Sequence, residues 1–244
     1  LKHLIDRKLL RREHGQWRLE QEGFDIAEVP ESVAAVLRSR LGQLSPQTRE
    51  LTEWLAVLGR ALPKDLLAPL TSRDSSELTS ALEELLARQI IRKVTEDGQE
   101  CFEFRHALIS EVICADLATG RHRNLHRRIG DVLEQRYPVE EHLQELALHF
   151  TEARHGEKAV QYALKAAAAC KSEYANQTAL HFYEYALANR RYLTREQLCE
   201  AAIQAADACC ALGLPKRGIR TIRSVLRRNH DTGRLDLRAR LLLQ

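Results

Sequence analysis

The pattern of hydrophobic and polar residues along this chain has, over most of its length, the period of a helix. A first helix, directly after Pro30, places four apolar residues on one face: Val33, Val36, Leu37 and Leu41. Apolar residues that recur at three and four positions predict an amphipathic α-helix. Proline is accepted in a first helical turn because its missing N–H would be unsatisfied there anyway. The pattern therefore predicts a helix that starts at this proline.

The next predicted helix has signals at both ends. Ser45 and Pro46 suit its start, and Gly59 suits its end. Its apolar residues fall on one face: Leu51, Trp54, Leu55 and Leu58. Two further helices are predicted, a short one after Pro63 and one over about residues 76–88.

Alternating residues with turn signals predict two hairpins. Residues 1–23 read as a helix end followed by a hairpin around His14-Gly15. Residues 89–105 read as two strands joined by Asp97-Gly98, which is a strong hairpin signal. Three helices followed by a hairpin are the order of a winged helix, which we expect over about residues 44–105.

After residue 105 the pattern is helical throughout. Helices are predicted at about 107–118, 121–136, 139–153, 157–171, 174–189, 195–212, 215–228 and 234–244. Residues 179–187 and 218–226 share small and apolar positions, and residues 201–218 place small residues on one helix face. Small residues let paired helices approach closely, as tetratricopeptide-like repeats require.

These patterns predict a mostly all-α protein. It would have a winged-helix module with a small β-hairpin, followed by tetratricopeptide-like α-helical hairpins. We expect four parts: a leading segment at 1–28, a helical linker and winged helix at 29–105, a helical connector at 106–155, and repeats at 156–244.

Composition narrows the class of protein. Hydrophobic residues make up 44% and charged residues 29% of the 244 residues, which is a globular composition. The six cysteines include no C-x-x-C pair, which favours reduced thiols and a cytoplasmic location. No apolar run approaches the length of a membrane span. The chain contains no methionine and opens within a helical pattern, so we expect it to belong to a longer protein.

The motifs argue against catalysis in this segment. It has neither G-x-x-x-x-G-K-[ST] nor G-x-G-x-x-G, so it lacks a phosphate-binding loop of its own. His122 and His126 stand among arginines that would repel a metal dication, and His142 and His149 have poor spacing for chelation. We expect no catalytic residue and no metal site, and no enzyme activity for this segment.

Basic residues form two possible contact surfaces. The first comprises Arg121, Arg123, Arg127 and Arg128, and the second comprises Lys216, Arg220, Arg223 and Arg227. Residues 214–240 carry nine Lys or Arg against two aspartates, although the whole chain has a net charge of only +3. Such a stripe could contact phosphate or an acidic partner, but a solvated helix face, or a face covered by another helix, is the preferred explanation over contact with nucleic acid.

The third helix of the predicted winged helix has the wrong charge for reading DNA. It carries Glu77, Glu83 and Glu84 against Arg88 alone. A recognition helix in the major groove needs an excess of positive charge. Direct nucleic-acid binding through this helix is therefore not expected.

Residues 1–136 resemble a known family. The stretches "VPESVAAVLRSRLGQLSPQTRELTEWLAVLGRALPKDLL", "LEELLARQII" and "FEFRHALISEVICADLATGRHRNLHRRIGDVLE" look like the STAND signal-transduction ATPases. The likeness is greatest to large bacterial regulators with a central AAA-type ATPase and a tetratricopeptide tail, of LuxR-type or kinase- or cyclase-linked kinds. In that case residues 1–28 would end a segment linked to an upstream ATPase core.

The resemblance implies a regulatory role. The Met-His-Asp motif of the family corresponds here to Arg105, His106 and Ala107. The histidine is therefore present in this chain, whereas the methionine and the aspartate are not. It implies that His106 and Arg105 sense nucleotide, and that ATP or ADP and magnesium bind the upstream core. The repeats would bind an inducer or a partner protein, in a cytoplasmic transcriptional regulator. The alternatives are a nucleic-acid-binding winged-helix protein and a plain tetratricopeptide scaffold for protein–protein contacts.

Overall fold

The structure of the protein, a computed structural model, describes residues 10–13, 16–19, 31–96 and 98–226. These residues are mostly α-helical, which confirms the predicted fold class at the level of helix content. The predicted helices before residue 10 and at 234–244 lie outside the described residues, as do Pro30 and Asp97. The chain divides into two compact units, Leu1–His122 and Arg123–Gln244. The four predicted parts concern a finer division and stay predictions.

The first unit mixes helices with short antiparallel strands. The predicted early hairpin is present, with Leu10 opposite Leu19. The elements are β1 (Leu10–Glu13), β2 (Gln16–Leu19), α1 (Glu31–Gly42), α2 (Pro46–Leu58), β3 (Leu62–Pro63), α3 (Lys64–Thr71), α4 (Ser75–Ala87), β4 (Ile91–Glu96), β5 (Gln99–Phe104) and α5 (Ala107–Asp116). The predicted helices and the later hairpin are therefore found where the sequence places them.

Helix α2 forms the centre of this unit and has the predicted ends. The Ser45 hydroxyl accepts a hydrogen bond from the Thr48 backbone N–H at 3.1 Å, which satisfies one of the free donors of the first turn. Gly59 ends the helix with a φ of +66°, a left-handed conformation that glycine adopts without steric cost. Its predicted apolar face is buried, with Leu51 and Leu55 almost fully inaccessible.

A three-stranded antiparallel sheet, in the order β3-β5-β4, closes the unit. Gly98 has a φ of +78° in the β4–β5 turn, and Arg92 lies opposite Glu103 and bonds it at 2.7 Å. The sequence did not predict β3, because two residues are too short for alternation to be visible. Leu62 of β3 is nevertheless fully buried and pairs with Phe102.

The predicted apolar stripe of α1 is wrong in part. Val36 is 59% exposed, and Ala34, outside the predicted stripe, is buried. The other three residues of the predicted stripe are half-buried. An exposed bidentate ion pair joins Arg38 of α1 to Asp116 of α5 at 2.8 and 2.9 Å. Since alanine adds little to a hydrophobic pattern, the sequence missed the buried Ala34 and included the exposed Val36.

The second unit consists of helices that pack in chain order. Its elements are the part of α6 (Thr119–Arg136) from Arg123 onwards, a 3-10 turn (Val139–His142), α7 (Leu143–Glu152), α8 (Glu157–Ser172), α9 (Asn176–Ala188), a 3-10 turn (Arg190–Tyr192), α10 (Arg195–Ala211) and α11 (Pro215–Leu226). The unit boundary falls within α6. In the part of the chain that the structure describes, every helix is too short or too polar to span a lipid bilayer.

Small residues fill the contacts between these helices, as the sequence predicts. The buried alanines lie mainly on α8 and α10: Ala159, Ala163, Ala166, Ala167, Ala201, Ala202, Ala205, Ala206 and Ala208. Gly218 of α11 is buried, and a Cβ there would stand 3.1 Å from the Ala206 carbonyl oxygen. The backbones of α10 and α11 therefore approach so closely that glycine is the residue that fits.

Polar side chains join each of these helices to the helix two positions further along. Lys158 of α8 pairs with Asp131 and Glu134 of α6, and the Tyr162 hydroxyl donates to Glu134 at 2.6 Å. Lys171 of α8 pairs with Asp207 of α10 at 3.1 Å. The remaining bonds of this kind are Tyr185 to the Thr151 carbonyl, Gln197 to Gln161, and Arg217 to Glu184. We call this set the next-but-one bonds.

These bonds change the acidity of their members. Burial by itself would raise the pKa of Glu134, but hydrogen bonds from Lys158 and Tyr162 outweigh burial and lower that pKa. Burial, together with the hydrogen bond to Glu134, raises the pKa of the Tyr162 hydroxyl. The contact between α6 and α8 is therefore an ionised carboxylate held by a neutral phenol and an ammonium group.

Four helix ends share one kind of turn. After α4, α7, α8 and α10 a residue adopts a positive φ: Gln89, Arg154, Tyr174 and Gly213. The next N–H then bonds a carbonyl five residues back, as from Ala175 to Cys170 at 2.8 Å. This is the Schellman motif, in which glycine is usual. Tyr174 adopts it with a large side chain that is 86% exposed.

The contact between α6 and α7 gives the first testable prediction. A Cβ at Gly130 would lie 2.8 Å from the Phe150 ring, which is fully buried. Gly130→Ala should therefore lower the free energy of unfolding by about 1–3 kcal/mol, although alanine is the better helix former. Urea denaturation of the 244-residue chain measures the change.

Gly120→Ala is the matched control, since Gly120 lies on the same helix and a Cβ there meets nothing within 4 Å. This control should be neutral or slightly stabilising. Equal effects of the two substitutions would contradict the close contact at Gly130.

Candidate functional site

The junction between β5 and α5 presents two polar side chains to solvent. Arg105 and His106 are both exposed, and the Arg105 N–H donates to the Ile90 carbonyl at 3.0 Å. His106 is the N-cap residue of α5, with φ −138° and ψ 127°, and its side chain makes no capping hydrogen bond. The backbone groups of these two residues therefore form hydrogen bonds within the fold, whereas both side chains are exposed to solvent.

Helix α5 holds this junction in place. Ile109, Val112 and Ile113 are buried on its inner face, and the Arg38–Asp116 ion pair holds its last turn to α1. The first turn of a helix has free N–H groups and the positive end of the helix dipole. An anion is therefore favoured next to His106, and the neutral imidazole can donate one N–H to it.

The other side chains near the junction have no arrangement for nucleophilic catalysis. The Ser110 hydroxyl donates to the Ala107 carbonyl at 2.7 Å within its own helix. Glu111 has one carboxylate oxygen that is buried without a hydrogen-bond partner, and burial raises the pKa of this side chain. The chemistry that the junction supports is the binding of an anion.

Three of the four histidines considered for a metal site have other contacts. His126 and His149 are buried, and their Nδ1 atoms lie 2.9 Å apart, so that one ring donates to the other. His142 lies 3.3 Å from the Glu145 carboxylate. These positions suit packing histidines, and the absence of a metal site stays a prediction.

The first set of basic residues is partly used by the fold. Arg121 bonds Glu53 at 2.8 Å and Glu50 at 3.1 Å, and Arg73 bonds the other oxygen of Glu50 at 2.9 Å. Burial by itself would raise the pKa of Glu50, but these two arginines outweigh it and lower the pKa. Arg121 is therefore a structural residue that holds the start of α6 to α2.

The other members of this set differ in exposure. Arg123 is half-buried, whereas Arg127 and Arg128 are exposed. Arg127 lies 4.0 Å from Asp131, one helical turn further along. The four arginines predicted as one surface thus fall into different environments.

The second set of basic residues lies on α11. Lys216, Arg220 and Arg223 are exposed and line one depression together with Ile219 and Ser224. Arg217 differs from them, because it forms a bidentate ion pair with Glu184 at 3.0 and 2.8 Å. Arg227 lies outside the described residues. The structure thus brings three of the four predicted cations together.

The glutamates of α4 divide into two groups. Glu77 and Glu83 are exposed, whereas Glu84 accepts hydrogen bonds from Thr48 at 2.5 Å and from Ser45 at 3.2 Å. Arg88 pairs with Glu84 at 3.2 Å. The outer face of this helix is therefore acidic, which is unsuited to contact with DNA phosphates.

Sequence reasoning did not single out Tyr174, Leu212 or Leu214, although all three side chains are exposed apolar groups. The hydrophobic pattern does not indicate whether an aromatic residue between two helices is exposed. The sequences "YAN" and "LGLP" do indicate turns at these positions, where exposed side chains are common.

Comparisons with known proteins give a distant structural resemblance. No protein-family model matches the sequence, and no curated protein matches it either. A solved structure of a signal transduction ATPase with numerous domains (STAND) protein with a tetratricopeptide repeat sensor, from Pyrococcus horikoshii, matches with a TM-score of 0.39 and 13% identity. The match covers 87% of this chain and 35% of that protein, so the chain spans about a third of its length.

The position of Glu84 gives the second testable prediction. Hydrogen bonds, first from Thr48, hold the pKa of Glu84 below its ordinary value of 4.5. Its stabilisation is therefore fully present above about pH 4.5 and is lost as the pH falls through the lowered pKa. Glu84→Gln should reduce the free energy of unfolding at pH 7, and this difference from the unsubstituted chain should vanish towards pH 2.

Glu83→Gln is the control, since Glu83 is the exposed neighbour on the same helix. Its effect should stay within about 0.5 kcal/mol. The role assigned to Glu84 would be contradicted if Glu84→Gln and Glu83→Gln lowered the free energy of unfolding equally. It would also be contradicted if the effect of Glu84→Gln did not depend on pH.

Proposed function

We propose that this chain is the regulatory segment of a signal-transduction ATPase, and that it acts by binding and switching. A winged-helix module would contact an upstream nucleotide-binding core, and the helical hairpins would bind an inducer or a partner protein. Binding of the inducer or partner to the hairpins would change the position of the winged-helix module relative to the core. This change of position would alter the rate of ADP release.

The order of elements in the first unit supports a winged-helix module. Over residues 46–104 the order is helix, strand, helix, helix, strand, strand, and the three strands form one antiparallel sheet. The acidic outer face of α4, with Glu77 and Glu83, disfavours the reading of DNA by this module. A contact with protein suits this face better.

The arrangement of the second unit supports a binding array. From α7 to α11 each helix packs on the next, and the next-but-one bonds join alternate helices. Arrays built in this way present extended surfaces to partners. The same observation supports a second candidate function, a scaffold for a protein complex without any link to nucleotide.

The observation that carries the link to nucleotide is the exposure of Arg105 and His106 at the start of α5. Both side chains could reach an anion, and the helix terminus favours one there. The chain has no phosphate-binding loop of its own, so the nucleotide and its magnesium would be held by the upstream core. His106 would contribute one N–H donor to a phosphate oxygen and so stabilise the ADP-bound state.

The full-length protein tests this proposal. His106→Ala should accelerate the release of a fluorescent ADP analogue by about tenfold or more, because a hydrogen bond to a charged group contributes about 1.5–3 kcal/mol. Stopped-flow displacement by unlabelled ADP measures the rate.

His181→Ala is the matched control, since His181 is an exposed histidine on α9. It should leave the rate of ADP release unchanged. An unchanged rate for His106→Ala would overturn the nucleotide-sensing role, and an upstream sequence without a phosphate-binding loop would favour the scaffold.

A further inference from the structure

Exposed apolar side chains gather at one edge of the second unit. Leu212, Leu214 and Ile219 are 37%, 43% and 48% exposed and lie within eight residues of the chain, around the turn between α10 and α11. Tyr174, in the turn after α8, is 86% exposed. Single exposed apolar residues are ordinary, but a cluster of them marks an interaction surface.

The turns after α8 and α10 lie at the same edge. Gln161 bonds Gln197, and Lys171 bonds Asp207; both pairs join α8 to α10 across 36 residues of sequence. The same offset near the start and near the end of α8 means that the two helices run side by side in the same direction. The turns that follow them are therefore neighbours, which brings Tyr174 to the edge that carries Leu212 and Leu214.

This edge is also positively charged. Lys216, Arg220 and Arg223 are spaced by four and three residues, so they follow one stripe of α11. Residues 212–226 contain no acidic side chain. Arg217 is neutralised by Glu184, whereas within the described residues no acidic partner is found for the three cations of the stripe. Among the described residues, the positive charge of the stripe is therefore not neutralised.

We propose that these residues form one docking surface, and that its ligand is an acidic amphipathic segment of a partner protein. The surface consists of Tyr174, Leu212, Leu214, Lys216, Ile219, Arg220 and Arg223, and we call it the α10–α11 edge. This inference deepens the proposed function, because it rests on partner binding by the helical hairpins and names the chemistry of that partner.

The α10–α11 edge combines apolar with cationic side chains, which favours a protein segment over a nucleic acid as its ligand. Ile219 lies between the cations of the stripe, and Leu214 precedes it. Leucine and isoleucine gain from burial against apolar side chains and gain nothing from phosphate. An acidic amphipathic segment offers both an apolar face and carboxylates, so it complements the cations and the apolar residues at once.

Tyr174 adds an anchor that the fold does not need. Residues other than glycine are disfavoured at the φ of +61° that Tyr174 adopts. The side chain of Tyr174 is 86% exposed, so it has little contact with the rest of the unit. Tyrosine is among the residues that most often dominate the energy of protein interfaces. An exposed tyrosine at the edge that carries Leu212 and Leu214 fits a residue that contacts a partner.

A random 16-residue peptide library displayed on phage, selected against the 244-residue chain, tests this inference. The enriched peptides should combine aspartate or glutamate with leucine or aromatic residues, and the best of them is then synthesised with a fluorophore. Fluorescence anisotropy should show that binding weakens about tenfold or more in the K216E/R220E/R223E variant and in the L214S/I219S variant. Arg195→Glu, which reverses an exposed cation at the start of α10, should leave the affinity unchanged.

Tyr174→Gly separates binding from folding. Glycine adopts the left-handed turn without strain, so the thermal midpoint of the chain should rise. The affinity for the selected peptide should nevertheless fall severalfold. A rise in stability with unchanged affinity would remove Tyr174 from the surface.

Other outcomes overturn the proposal as a whole. These are a selection without enrichment, peptides without net negative charge, and peptides that bind the charge-reversed variant as tightly as the unsubstituted chain. Binding of a 20-base-pair DNA duplex, lost in K216E/R220E/R223E, would assign the surface to nucleic acid instead. If no acidic peptide binds but His106→Ala releases ADP faster, the docking surface is wrong and the proposed function stands. If an acidic peptide binds but His106→Ala leaves ADP release unchanged, only the link to nucleotide is wrong.

Discussion

The close approach of helix backbones is the constraint on which the second unit depends. Alanines on α8 and α10 and glycines at 130 and 218 remove the side-chain volume that would keep neighbouring helices apart. Since the apolar area of an alanine is small, each contact contributes little by burial, and stability requires many contacts along each helix. Large side chains also contribute, and the ring of Phe150 fills the space that Gly130 leaves.

The next-but-one bonds supply the specificity that small residues lack. Alanine faces are nearly uniform and could slide past each other, whereas Lys158, Lys171 and Arg217 each fix one register by pairing with an acid on an alternate helix. The first unit uses the same device, because Arg38 and Arg121 tie α1 and α6 to their neighbours. Apolar contacts thus bring the helices together, and charged contacts decide how they align.

The predictability of each feature follows from the range of the interaction behind it. The ends of α2 and the β4–β5 turn depend on residues within a few positions, such as Ser45 and Gly59, and the sequence predicts them. The ion pair of Arg38 and the bonds of Arg121 join residues far apart in the chain, and no local pattern contains them. For the candidate site, the sequence indicates the position of His106 at the junction of a strand and a helix, but neither the pairing of Arg217 nor the exposure of Tyr174.

The alternation of the next-but-one bonds has a consequence for the history of such an array. Because each helix is tied to its immediate neighbours and to the helices two places away, the loss or duplication of a helical pair disturbs a local set of contacts and leaves the remainder intact. The segment from α8 to α11 could therefore lengthen or shorten by whole hairpins during evolution. Binding edges would then be gained or lost one turn at a time, while the packing rules within the array stayed the same.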